Sequence, residues 1–421
     1  MYKKTILFMT TELPITSSQS AIDLENQYGV HNYHPLPVVL SKGKGIFVWD
    51  VEGKKYYDFL AAYSAVNQGH CHPRIIAAMI EQAQTLTLTS RAFYNDKLGL
   101  CEKFLCEYFN YDKAILMNTG VEANETALKF ARKWGYMVKG IPQDKAIIVA
   151  ATNNFHGRTM AIISASTDET ARKNFGPFMP GYQIVPYNDL EALEKALQNP
   201  NVCTFWVEPI QGEAGVYVPD DGYMAAAAEL CKKYNVLLCA DEVQTGLGRA
   251  GKRLACDYEN VTADLLILGK ALSGGVMPVS AVMMRKDVAD CIKPGEHGST
   301  FGGNPLACVV TKEAIKVLEE ENMIENSLRL GEVFRSRMNE LKKNYDYVAT
   351  VRGKGLMNAV VIEPRNNKTA WDVCVHLKEL GLLAKPTHQH TIRFTPPLVI
   401  TETQLHECCD RIEKAIKSYS N

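Results

Sequence analysis

The chain has no surplus of charge of either sign. Its 421 residues carry 46 Lys+Arg against 47 Asp+Glu, a formal net charge of −1, so no overall field favours nucleic acid or an anionic membrane as partner. Local basic pairs such as Lys232-Lys233 and Lys342-Lys343 fall on helical patterns and read as solvated faces. No apolar run approaches the roughly 20 residues that a membrane-spanning helix needs. There is no internal repeat, and the one biased tract, Thr/Ser-rich from about Thr10 to Ser20, is expected to be disordered. The twelve cysteines lack a framework spacing. Cys203, Cys231, Cys239 and Cys308 sit in strand or helix patterns and Cys408-Cys409 in a late helix pattern, where a thiol packs as a small hydrophobe, so a reducing compartment is expected. His70-Cys71-His72 has no second ligand pair at zinc-site spacing, and Pro73 marks a turn into a helix, so no metal is expected.

What is present is a large apolar content, 46% of the residues, on a chain too long for one typical domain and long enough for two. Strand and helix signals alternate from about Leu98 to Val317, the pattern of an α/β layer with a mostly parallel sheet. The strand candidates are the apolar runs Ala114 to Met117, Ala146 to Ala151, Val202 to Val207, Val236 to Ala240, Asp264 to Leu268 and Val279 to Met284. From about Glu321 the order changes to helix, strands near Tyr347 to Val351 and Leu356 to Ile362, a helix from Ala370, a strand around Arg393 and a closing helix from Glu402. This is a smaller α+β unit, joined by N-terminal strands at Ile46 to Trp49 and Lys55 to Phe59.

Two of the buried runs deliver reactive groups. Val236 to Ala240 ends at Asp241, and Asp264 to Leu268 leads through Gly269 to Lys270. Ligands of open α/β sheets bind beyond the carboxyl ends of the strands. The chemistry that needs both an acid and an amine there is pyridoxal phosphate catalysis, in which a lysine holds the aldehyde as a Schiff base and a carboxylate keeps the ring nitrogen protonated. A desolvated lysine can also serve as nucleophile and base, because burial disfavours its charged form. Taken singly, each residue has a plainer alternative. A strand-terminal Asp commonly caps the next element, and Gly-Lys-Ala is often only a loop entering a helix.

Asn118-Thr119-Gly120 follows a strand pattern and precedes Glu122 to Lys139, a long stretch of good helix formers. Backbone N–H groups at such a helix start can receive a phosphate without a basic side chain, although a Gly-bearing strand-to-helix turn is common in any α/β protein. Phe155, beyond the Ala146 to Ala151 run, could lay a flat ring against a pyridine.

On Asp241-Glu242-Val243-Gln244-Thr245-Gly246, the Lys270 segment, Asn118-Thr119-Gly120 and Val207-Glu208-Pro209-Ile210-Gln211-Gly212-Glu213, the chain resembles the class III, fold type I aminotransferases. Within them, Tyr28-Gly29-Val30-His31-Asn32-Tyr33-His34-Pro35, Ala62 to Pro73, Ser90-Arg91-Ala92-Phe93-Tyr94 and Gly295 to Thr300 are similar to the ornithine-using branch. The resemblance runs from about Tyr28 to the last helix. It implies an α/β fold with a large domain built on a mostly parallel sheet and a smaller α+β domain. The expected division is a tail over 1–27, a segment of the small domain over 28–77, the large cofactor domain over 78–320 and the small domain over 321–421.

The same resemblance makes Lys270 the Schiff-base lysine and Asp241 the partner of the ring nitrogen. It gives Gln244 to the ring hydroxyl oxygen, Phe155 to the ring face, and the backbone of Gly120 and Val121 to the phosphate. Ser299 and Thr300 join the cofactor site, Thr300 reaching the phosphate from a neighbouring subunit, which implies a homodimer. A helix cap before Asn304-Pro305 is the plainer role for Thr300. Arg158 would grip the distal carboxylate of either L-ornithine or 2-oxoglutarate, and a planar guanidinium suits that bidentate task. Arg393 would meet the α-carboxylate of 2-oxoglutarate or glutamate, with Glu213 pairing with it in one half-reaction and releasing it in the other. Without the resemblance, Glu213 reads as a solvated acid in a Gly-rich loop.

Tyr33 and Tyr63 would bond the α-amino group of ornithine and shape its pocket, although by sequence alone such tyrosines are more often core packing. The implied activity is transfer of the δ-amino group of ornithine to 2-oxoglutarate, giving glutamate and glutamate 5-semialdehyde, which cyclises to a pyrroline carboxylate. The rivals are a sister enzyme for 4-aminobutyrate or N-acetylornithine and a non-catalytic cofactor binder. One departure stands out: His156 precedes Gly157 where relatives often carry Trp, a change expected to touch only the rim of the cofactor pocket. The N-terminal stretch has Lys3 and Lys4 but also Glu12, Asp23 and Glu25, unlike an Arg-rich, acid-poor presequence, so a cytoplasmic enzyme is expected. The mitochondrial matrix, where animal relatives reside, is the alternative.

Overall fold

Six expected apolar runs become strands of one seven-stranded sheet in the computed structural model, which describes residues 15, 17–365 and 367–419. Most of the Thr/Ser-rich stretch lies outside the described residues, but its end enters a helix, Ser18–Tyr28, capped by the Ser17 side chain. The strands stand in the order Lys113–Met117, Ser280–Met284, Leu265–Leu268, Leu237–Asp241, Val202–Val207, Ile147–Ala151 and Tyr182–Val185. The last five run parallel to one another, and Ser280–Met284 is antiparallel to both its neighbours. Every residue of Val202–Val207, Leu237–Asp241 and Leu265–Leu268 is buried, as expected of central strands covered on both faces. The helix Gly120–Trp134 packs on one face with Ala123, Ala127 and Phe130 against Ile148, Cys239 and Ile267. Helices Leu190–Leu197 and Tyr223–Lys233 cover the other.

Tyr182–Val185 was not among the expected strands. It is the sheet's outer strand, and only its last residue is buried, so no apolar run marks it. The expected helix to Lys139 is α-helical only to Trp134 and finishes in a wider π-turn, Gly135–Lys139. Gly135 sits against Cys203, where an added Cβ would come within 2.8 Å of the Cys203 side chain.

Two four-stranded sheets complete the architecture of the described residues. One joins Leu40–Lys44, Phe47–Asp50 and Lys55–Asp58 to Leu382–Leu383, which pairs in parallel with Tyr57 and Asp58. The other runs Val348–Lys354, Met357–Ile362, Thr391–Phe394, Lys385–Thr387, antiparallel throughout. Helices Met323–Asn344, Ala370–Glu379 and Glu402–Tyr419 supply Leu330, Phe334, Leu377 and Ile412 to the associated core. No described helix is long and apolar enough to cross a membrane.

Candidate active site

The carboxyl ends of the sheet strands converge on one cavity of about 190 Å³, lined by Gly120, Val121, Asn124, Phe155, His156, Gly157, Glu208, Asp241, Val243, Gln244 and Lys270. They arrive from the exits of five strands, Lys113–Met117, Ile147–Ala151, Val202–Val207, Leu237–Asp241 and Leu265–Leu268, as the alternation of buried runs and turns requires. Asp241 is the last residue of its strand and is 4% exposed. Its Oδ1 accepts the Val243 N–H at 3.0 Å, and its Oδ2 lies 2.6 Å from His156 Nδ1.

That contact corrects the expectation for His156. Its side chain is buried in the cavity lining, against Asp241, and stacks on Trp206 with ring centroids 3.7 Å apart. Trp206 in turn donates its indole N–H to Asn124 Oδ1 at 2.8 Å. His156 Nε2 finds no hydrogen-bond partner among the described residues, so an Nδ1–H given to Asp241 satisfies the geometry best.

Lys270 opens a short 3₁₀ turn, Lys270–Ser273, with φ of 45°, a left-handed conformation that side chains other than glycine adopt reluctantly. Its amine has no hydrogen-bond partner among the described residues, and burial lowers its basicity, with Asp241, Glu213 and Glu208 opposing that shift. Glu208 follows the central strand Val202–Val207 and is buried. It accepts the Phe155 N–H at 2.8 Å and the Gly212 N–H at 3.3 Å, thereby fixing the turn that presents the Phe155 ring. Burial first, and the nearby Asp241 second, push its carboxyl up to about 8. Sequence reasoning quoted Glu208 within a motif but assigned it no task; its place at the end of a fully apolar run was the available signal.

The helix start beside this cavity is built to leave two amides free. Thr119 and Glu122 form a reciprocal capping box, and the Glu122 carboxylate also takes the Asn118 N–H. The N–H groups of Gly120 and Val121 have no partner among the described residues and suit an anion. Two glycines keep the cradle open: a Cβ on Gly157, whose φ is 133°, would sit 2.4 Å from Val121 Cγ2, and one on Gly212 would meet Gln244 Oε1 at 1.7 Å. Asn118 Nδ2 donates to Ser299 Oγ at 2.8 Å, tying this turn to the loop that bears Ser299 and Thr300. Thr300 is exposed, and the helix Pro305–Glu320 is capped by Asn304, so the plainer capping role does not apply to Thr300.

A second cavity, about 510 Å³, shares Phe155, His156 and Gly157 with the first and adds Arg158, Glu213, Thr387 and His388. Arg158 is exposed, its guanidinium carbon 5.4 Å from the Phe155 ring centre. Glu213 and Arg393 are paired through two contacts, Nη1 to Oε2 at 2.8 Å and Nη2 to Oε1 at 3.4 Å. The Arg393 side chain is 4% exposed and that of Glu213 31%. Tyr63, in a left-handed run from Ala61 to Ser64, lies under the Arg393 guanidinium at 4.8 Å. Tyr33 is 67% exposed, near enough to Tyr63 to influence its titration. The structure thus assembles Lys270, Asp241, Gln244, Phe155, Gly120 and Val121 round one cavity and Arg158 and Glu213 round its neighbour, where Glu213 holds Arg393 beside Tyr63. Ser299 touches the edge of the group through Asn118, while Tyr33 and Thr300 face outward. The His70 and His72 rings are each turned to a carboxylate, Asp58 at 2.7 Å and Glu321 at 3.2 Å.

These residues suit pyridoxal phosphate: an amine without a competing hydrogen bond, a buried carboxylate, a free pair of helix-start amides and a cradle that an added Cβ would fill. Residues 28–416 match the family described as aminotransferase class-III. The ornithine aminotransferase, mitochondrial, of Drosophila melanogaster is 58% identical over 416 residues, 99% of this chain and 96% of its own. The ornithine aminotransferase of Toxoplasma gondii, whose structure reveals partial occupancy of the cofactor at its active site, superposes with a TM-score of 0.95 at 51% identity, covering 97% of this chain and 96% of its own. An acetylornithine aminotransferase from Elizabethkingia anophelis gives 0.87 at 53% identity, covering 95% and 99%. The chain belongs to the class III aminotransferases, enzymes of fold type I that depend on pyridoxal phosphate.

Proposed function

We propose that the protein moves the δ-amino group of L-ornithine to 2-oxoglutarate, producing L-glutamate and glutamate 5-semialdehyde, which closes to a pyrroline carboxylate. The observation that carries this is the closed Glu213–Arg393 pair beside Tyr63. When bound, pyridoxal phosphate supplies a ring that takes up the electron pair left by breaking the C–H bond next to the transferred nitrogen. The remaining requirements fall to the polypeptide. Lys270 would hold the aldehyde and, once displaced by substrate, carry the proton between carbon atoms, a task helped by burial that keeps its amine neutral at lower pH. Asp241 would keep the ring nitrogen protonated, with His156 fixing the carboxylate from behind. Phe155 would cover the ring face, Gln244 would bond the ring hydroxyl, and Gly120 and Val121 would bind the phosphate, joined by Ser299 and Thr300 from a partner copy.

Selectivity follows from charge. With Glu213 neutralising Arg393, the carboxylate of ornithine has no reason to enter head first, so Arg158 would hold it at the outer end. Tyr33 and Tyr63 would meet the α-amino group. A dicarboxylate replaces Glu213 at Arg393, and the exchange is feasible because Arg393 is never left alone; an unpaired buried charge costs roughly 3–5 kcal/mol. The N-terminal segment 28–77 and residues 321–421 would act together as the small domain that carries Arg393, a grouping supported by the parallel pairing of Leu382–Leu383 with Tyr57 and Asp58. The homodimer is supported by apolar side chains left in solvent, Tyr94 at 96%, Val30 at 86% and Phe301, next to Thr300, at 56%.

Incubation with ornithine and 2-oxoglutarate should generate pyrroline carboxylate, trapped as its coloured aminobenzaldehyde adduct, and borohydride should fix the cofactor on the Lys270 peptide. Absence of that product, or a label elsewhere, rejects the assignment. The acetylornithine-named relative motivates a second reading, acylated ornithine as donor; a higher kcat/KM for N-acetylornithine than for ornithine would favour it. Tyr63→Ile should shift preference from ornithine toward 4-aminobutyrate. For compartment, we favour the cytoplasm over the matrix implied by the fly relative's name, and recovery of the enzyme with mitochondria on cell fractionation would reverse that choice.

A further inference from the structure

The strand Lys385–Thr387 runs beside the strand bearing Arg393, and Lys385 stands directly opposite Arg393 in the register. Residues paired in this way project from the same face with Cβ atoms roughly 4.5–5.5 Å apart, where two like charges oppose each other. Thr387, two residues on and therefore on that same face, donates its hydroxyl to the Glu213 carbonyl at 3.0 Å. One anion, Glu213, is therefore flanked by two cations. Arg393 takes it, at 2.8 and 3.4 Å. Lys385 is half-buried and has no hydrogen bond or ion pair among the described residues. Burial lowers its basicity first, then Arg393, while Glu213 works against both. An ammonium held partly out of water beside an occupied partner is a standing cost.

We propose that Lys385 receives the Glu213 carboxylate when an incoming dicarboxylate claims Arg393, making it a positioning residue that sets the selectivity of the second half-reaction. This rests on the Glu213 gate described above and deepens it. In the closed arrangement Glu213 pairs with Arg393. In the open one Glu213 pairs with Lys385 and the substrate with Arg393, so no carboxylate is stranded at any stage. A lysine suits the role because its compact charge on a flexible stem can follow a moving partner, where a guanidinium fork would fix one geometry.

The two half-reactions of the holoenzyme can be followed separately by absorbance. Lys385→Met should raise the KM for 2-oxoglutarate, and the inhibition constant of glutarate, about tenfold, the loss of one partly buried ion pair. The ornithine half-reaction should be unchanged, and Lys385→Arg should keep most of the wild-type behaviour. In a Glu213→Ala background, Lys385→Met should have no further effect, since there is no carboxylate left to receive. The proposal is overturned if K385M leaves both dicarboxylates bound as tightly as before, if it slows both half-reactions equally, or if its penalty persists without Glu213, which would make Lys385 a direct substrate ligand. If E213A itself leaves the preference between ornithine and glutamate untouched, the gate fails and this role falls with it. If E213A changes that preference and K385M does nothing, only Lys385 is removed from the scheme.

Discussion

Glu208 carries a consequence for pH. Its folded-state pKa, raised to about 8 by burial and by Asp241, lies above the roughly 4.3 of an unfolded glutamate. The folded protein therefore binds more protons than the unfolded one across that interval. Stability from this group is full below the lower value and is lost as pH rises through the upper one. Glu208→Gln removes the titration. In thermal melts of the cofactor-free protein, the variant should gain on the wild type steadily from pH 5 to 8, and a constant difference would show that Glu208 is ionised in the fold. His156 makes a second residue-level prediction. Asn can still donate near the Nδ1 position, so His156→Asn should retain cofactor affinity, whereas His156→Phe should weaken it about tenfold, the scale of a lost hydrogen bond to a charged group. Equal affinities for the two variants would reduce His156 to a space-filler. Lys270 and Asp241 were legible in the sequence because each ends an apolar run. The true place of His156 was not, since its partners Asp241 and Trp206 come from two other strands.

At the level of elements, the helix Gly120–Trp134 owes its start to Thr119 and Glu122. Thr119→Ala removes one half of the capping box and should cost about 1 kcal/mol in chemical denaturation. Gly157→Ala acts differently: its added Cβ meets Val121 at 2.4 Å on a backbone of φ 133°, displacing the Phe155 turn from the helix start. Equilibrium dialysis should register that as weaker cofactor binding with little change in helix content. Strong elements declared themselves through apolar periodicity, as Val202–Val207 and Met323–Asn344 did. The strand Lys385–Thr387 did not, because three residues that include a proline carry no period and exist as a strand only through pairing with Thr391–Phe394.

At the level of the molecule, the alternation from Leu98 to Val317 was enough to specify an α/β layer. How the remote segments meet was not, because the joining contacts connect positions hundreds of residues apart with no local trace. Arg249 is the clearest of them. Wholly buried, its basicity lowered to about 9 by burial, it gives hydrogen bonds to Asn67 Oδ1, to the Leu356 carbonyl and to the Pro396 carbonyl. Arg249→Met would strand these acceptors at roughly 1–3 kcal/mol each, partly offset by sparing a buried charge. A net loss of about 2 kcal/mol is expected in the calorimetric transition.

The same guanidinium also constrains the order of events during synthesis. Asn67 emerges early, Arg249 midway, and the carbonyls of Leu356 and Pro396 only after nearly the whole polypeptide has left the ribosome. Until then the nascent sheet must either keep a cation in water or enclose it half-satisfied, so the first two-thirds of the chain cannot close its own centre and await the final strands to finish it.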